Sequence, residues 1–145
     1  MRILRLTLML AVAAGLLSAG EKKLMHCFAF TAIEGASQAD WDAFYKATGE
    51  LPGKIPGLSK VWYGKLRRNL SIFNVAPEVR KKLGAGEQKV AGDVTQTVRQ
   101  YGVCMEMDDE AALKTYESHP AHKAWVEVYS KVRQPGTTTF DIIGQ

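Results

Sequence analysis

Residues 112–125 read ALKTYESHPAHKAW, and this stretch decides the second half of the fold. Asp108, Asp109 and Glu110 stand just before it, and carboxylates favour the positive end of a helix dipole. Leu113, Tyr116 and Glu117 then recur at helical spacing. Pro120 has no N–H to donate to the preceding turn, so it breaks or re-aims the helix. A second helical piece is predicted from His122 to Arg133, with Trp125, Val128, Tyr129 and Val132 on its apolar face. Gln134-Pro135-Gly136 stops it. Upstream, residues 99–107, RQYGVCMEM, read as a strand; downstream, residues 137–143, TTTFDII, are rich in strand formers. The second half is therefore strand, broken helix, strand.

The first half follows the same plan. Residues 24–32, LMHCFAFTA, form an apolar run with aromatic content that reads as a buried strand. Ser37 followed by Asp40 resembles a capping box. Trp41, Phe44, Tyr45 and Thr48 share one helical face. Turn signals at Pro52-Gly53 and at Ile55-Pro56-Gly57 lead into a second strand over 59–66, SKVWYGKL. The order βαββαβ is the ferredoxin-like split arrangement of an α+β protein, with two helices on one face of an antiparallel sheet. The strands carry enough apolar residues for both faces, so the helix-free face is expected to be covered by a second copy, giving a homodimeric α+β barrel.

The first twenty residues read as a signal peptide. Arg2 and Arg5 precede an apolar stretch over 6–17, and small residues follow at Ser18, Ala19 and Gly20. That stretch is shorter than the roughly 20 residues a membrane helix needs, so no stable span is expected after cleavage. Removing 20 of the 145 residues leaves 125, enough for one domain over 21–145, expected to be periplasmic or secreted. The formal net charge of +4 falls to +2 once Arg2 and Arg5 are lost, which is too weak a bias to argue for nucleic acid.

Between Lys65 and Arg99 lie eight Lys/Arg against three Asp/Glu. Residues 67–98 read as a basic, extended excursion with one short helix over 77–83, opened by Pro77 and followed by Gly84. Cys27 and Cys104 lie on what read as neighbouring central strands. Alternation places both on the face away from the helices, so a cross-strand disulfide is possible. Two buried free thiols are the expected state.

The strand beginning at His26, the IPGL of 55–58, the VWYGK of 61–65, the Tyr-x-x-His-Pro-x-His string from Tyr116 to His122 and Asp141 on the last strand together resemble the stress-responsive dimeric α/β-barrel (Dabb) family, which includes a plant polyketide cyclase. The resemblance runs from about residue 24 to the end, and the basic insertion at about 67–98 departs from it. It implies a dimeric barrel without a cofactor. It also implies that His122 acts as a base and that Tyr116 holds a developing oxyanion, with His26 beside them; a near-neutral imidazole and a phenol suit those tasks. Phe28, Trp62, Tyr101 and His119 are the further candidate ligand-binding residues. No metal site is expected, because a helical His pair whose third ligand is distant in sequence is a weak signal.

Three kinds of function fit. One is a small-molecule binding protein of the envelope with a pocket for an apolar or aromatic ligand. The second is a cofactor-independent cyclase or oxygenase-like enzyme using Tyr116 and His122. The third is a dimeric, stress-related interaction module.

Overall fold

A computed structural model describes residues 22–145; the segment read as a signal peptide lies outside them. The elements are β1 (Leu24–Phe30), α1 (Gln38–Gly49), a 3-10 turn (Leu51–Gly53), β2 (Leu58–Val75), α2 (Pro77–Gly84), β3 (Val94–Met107), α3 (Glu110–Ser118), α4 (Pro120–Tyr129) and β4 (Thr138–Ile143). The four strands form one antiparallel sheet in the order β2-β3-β1-β4. This is the ferredoxin-like α+β arrangement, with β1 and β3 at its centre.

Local chemistry sets the helix ends. Ser37 accepts a hydrogen bond from the Asp40 N–H at 3.1 Å and caps α1. Asp109 accepts from the Ala112 N–H at 2.6 Å and starts α3. Pro120 divides the second helix into α3 and α4, as its missing donor dictates. Between them His119 caps α4, its Nδ1 accepting from the Ala121 N–H at 3.1 Å.

The core lies between the helices and one face of the sheet. Leu24, Phe28 and Phe30 of β1 and Val103, Met105 and Met107 of β3 supply the sheet side. Phe44, Tyr116, Trp125 and Tyr129 meet them from the helices. Burying each such side chain contributes about 1.5–3 kcal/mol. Thr48 is the one fully buried polar group in this layer. Its hydroxyl donates to the Phe44 carbonyl at 2.6 Å and accepts from the Trp125 indole at 2.9 Å, tying α1 to α4.

The structure fills out one expectation and corrects another. The basic stretch continues the sheet: β2 and β3 run on into it as a two-stranded ribbon, with Leu70 opposite Arg99 and Val75 opposite Val94. A register shift between Lys65 and Leu70 separates the ribbon from the main sheet, and α2 closes its tip. The cysteines, expected as free thiols, are bonded to each other. Cys27 and Cys104 are direct register partners with Cα atoms 4.1 Å apart, so no backbone rearrangement is needed to join them.

Two outcomes follow from these contacts. Thr48→Val removes the acceptor of the buried Trp125 indole while keeping the shape, and urea unfolding should show a loss of about 1–3 kcal/mol; an unchanged midpoint would contradict the α1–α4 tie. Thiol titration of the denatured, unreduced protein should find no free thiol, and Cys27→Ala with Cys104→Ala should cost about 2–5 kcal/mol. Two titratable thiols would contradict the bridge.

Candidate functional site

The helix-facing side of β1 places His26, Phe28 and Phe30 in a row, because alternate residues of a strand share a face. β4 pairs with the outer edge of β1 and sets Asp141 opposite His26 and Thr139 opposite Phe28. α3 and α4 cross above. Between them and the β1–β4 edge an open cleft of about 420 Å³ is lined by His26, Phe28, Tyr116, His122, Trp125 and Tyr129, among others. That volume falls within the range of small-molecule sites.

At one end, three polar rings from three elements meet. The Tyr116 and His122 ring centroids are 4.1 Å apart, and those of His26 and Tyr116 are 5.8 Å apart. His122 Nδ1 lies 3.2 Å from the Glu117 carbonyl oxygen. A carbonyl only accepts, so Nδ1 carries the proton of the neutral ring and Nε2 is left as the basic nitrogen. Burial holds the His122 pKa below its ordinary value; the Glu117 carbonyl pulls it up and His26 pushes it down. Burial also pushes the Tyr116 phenol well up, with Tyr129 and Glu117 adding to it, so it remains a donor at neutral pH. His26 Nδ1 is 2.7 Å from Asp141 Oδ1, which fixes that ring in the same sense, with Nε2 away from the carboxylate. The arrangement offers a neutral base, a phenolic donor and an oriented second imidazole on an aromatic floor.

The structure brings His26, Phe28, Tyr116 and His122 together and leaves three candidates elsewhere. Trp62 is on the opposite, helix-free face, 43% exposed beside Phe140 and the disulfide. Leu58 and Val61 both face the helices because a bulge falls between Leu58 and Lys60, and this turns Trp62 outward. Tyr101 faces the helices but packs against Trp41 with ring centroids 4.5 Å apart, away from the cleft. His119 is occupied as the cap of α4. Asp141, Trp125, Tyr129 and Arg133 were not singled out for the site. Asp141 left a readable trace, being the only charged residue in the strand TTFDII. Among the described residues no group of three His, Cys, Asp or Glu is placed to hold a metal ion, and no helix is long and apolar enough to cross a membrane.

No family model and no curated protein matches the sequence. Solved structures do match its fold. A dimeric ferredoxin-like protein of unknown function from Thermobifida fusca superposes with TM-score 0.55 at 15% identity, covering 85% of this chain and 92% of that one. A Dabb family protein with a ferredoxin-like fold from Mesorhizobium loti gives 0.55 at 16% identity over 86% and 99%. The hydroxynitrile lyase from Passiflora edulis gives 0.57 at 13% identity over 87% and 95%. At these identities the shared property is the fold, which is the Dabb-type fold that the sequence resembles.

The depressed His122 has a consequence for stability. The fold prefers its neutral ring, so the unfolded chain binds that proton more tightly. Stability is full above the ordinary His value of about 6.5 and falls as pH drops through it, levelling off below the folded value. An NMR titration should place the His122 midpoint below that of free histidine; a midpoint at or above it would contradict the burial argument.

Proposed function

We propose that the cleft binds a small, largely apolar or aromatic molecule. The observation that carries this reading is the convergence of His26, Tyr116 and His122 on one end of a cleft otherwise floored by Phe28 and Trp125. Aromatic walls supply most of the binding free energy, and a few polar groups set orientation. Untargeted mass spectrometry of the purified protein tests it. A reproducible aromatic species should co-purify and be lost in Tyr116→Phe and His122→Ala; the same species retained in both variants would contradict the site.

The tight Tyr116–His122 contact favours a second step beyond binding, proton transfer without a cofactor. His122 Nε2 takes an acidic proton from the ligand, and the Tyr116 phenol donates a hydrogen bond to the oxyanion that forms. A hydroxynitrile lyase has this fold, so the scaffold is compatible with an enzyme acting on small molecules.

The oligomer and the location belong to the same reading. On the helix-free face Trp62, Phe140 and Ile142 are 43%, 49% and 56% exposed, and neighbours of this fold are dimeric. A second copy set face to face would cover them. The Cys27–Cys104 bond suits an oxidising compartment, which supports export to the periplasm or beyond. Sedimentation of residues 21–145 should give a dimer that Phe140→Glu converts to monomer. A monomer at micromolar concentration in the unaltered chain would contradict the barrel.

A further inference from the structure

The end of the cleft away from His122 holds positive charge that no carboxylate among the described residues neutralises. Arg99, on β3, is only 9% exposed. Its Nε and Nη1 reach two neutral hydroxyls, Thr138 at 3.4 Å and Thr31 at 3.1 Å. Its Nη2 points towards Gly136, where an added Cβ would lie 3.7 Å from it, and Gly136 lines the cleft. Arg133, just past α4, lies over the Tyr129 ring with its guanidinium carbon 4.7 Å from the centroid, and it too lines the cleft. Its only hydrogen bond among the described residues is a long one to the Gln134 carbonyl, 3.4 Å. Neither arginine forms an ion pair with a carboxylate among the described residues.

Two further atoms at the same place lack hydrogen-bond partners among the described residues. The Tyr129 hydroxyl and Arg133 Nε are both buried and unbonded, and Tyr129 as a whole is only 4% exposed. Buried polar groups are costly unless satisfied, and a buried guanidinium more so. A site with two guanidinium groups, a phenol and the neighbouring Thr139 offers donors to an acceptor that the described residues do not provide.

We infer that the Arg133 end of the cleft recognises the carboxylate of a small aromatic acid, held by Arg133 with Arg99 and the Tyr129 hydroxyl behind it. This rests on the ligand-binding reading above and specifies the class of ligand. Planar bidentate geometry matches guanidinium to carboxylate. Glu117, the carboxylate residue among those lining the cleft, adjoins His122 at the opposite end, and Asp141 pairs with His26 beside it. An anionic ligand is therefore aligned with its charge towards Arg133. His122 and Tyr129 are seven residues apart on α4, roughly 10 Å along its axis. That length accommodates an aromatic ring between the carboxylate and the His122–Tyr116 pair.

NMR titration of the isotope-labelled disulfide-bonded protein with 2-naphthoate and with its neutral counterpart 2-naphthamide tests this. The carboxylate should bind at least about tenfold more tightly and shift the amides of Gly136 and Thr139. Arg133→Met should bring the two affinities together, Arg133→Lys should restore part of the difference, and Tyr129→Phe, which keeps the ring, should weaken 2-naphthoate alone. Equal affinities in the unaltered protein overturn the inference, as does a preference that survives Arg133→Met. If 2-naphthamide still shifts Tyr116 and His122 in that case, the ligand-binding reading stands and only the anion site falls. Failure of both probes to bind overturns both.

Discussion

Cys27 lies directly opposite Cys104 at the centre of the sheet, and the facing of the two central strands follows from that register. Side chains alternate between the two faces of a strand, so a slip of one residue would exchange the core for the surface. With Cys27 and Cys104 facing away from the helices, His26, Phe28 and Phe30 face towards them, as do Tyr101, Val103 and Met105. The disulfide makes such a slip covalently inadmissible in the bonded chain. The same register extends through β1 to β4, where it delivers Asp141 to His26. One pairing thus sets the hydrophobic core, the floor of the cleft and the orientation of one of its imidazoles.

Much of this was legible from residue order because the signals were local. The helix-facing set Trp41, Phe44, Tyr45 and Thr48, the Ser37 cap and the break at Pro120 all depend on neighbours within a turn or two. The ribbon was not, since Arg67, Arg68 and Asn69 interrupt the strand pattern and the residues beyond them are largely exposed, with Phe73 at 65%. Its pairing is specified by partners some twenty to thirty residues away. The state of the cysteines was equally hidden. Alternation puts both on one face, but only the register shows that they are exact neighbours.

The site divides along the same line. His26, Tyr116 and His122 were readable as a group through the Tyr-x-x-His-Pro-x-His string and the strand-starting His. Trp62 was misplaced because a bulge inverts the alternation just before it. Arg133 reads as an ordinary cation at the end of a helix, where positive charge complements the dipole, and Arg99 as one more charge of a basic stretch. Bringing Arg99 towards Gly136 and Arg133 over Tyr129 requires the turn at Pro135-Gly136 to fold back against Thr31, an arrangement held by the hydrogen bond from the Gln134 N–H to the Thr31 carbonyl at 2.8 Å.

The resulting cleft is polarised, with the His122 imidazole and the Tyr116 phenol at one end, aromatic rings along its floor and Arg133, which has no carboxylate partner among the described residues, at the other. The most direct test is a crystal structure of residues 21–145 grown with 2-naphthoate. The ring should lie over Phe28 and Trp125, with the carboxylate at Arg133 and the far edge of the ring beside His122. A ligand seated instead on the helix-free face around Trp62 and Phe140, with the cleft left to solvent, would contradict this placement.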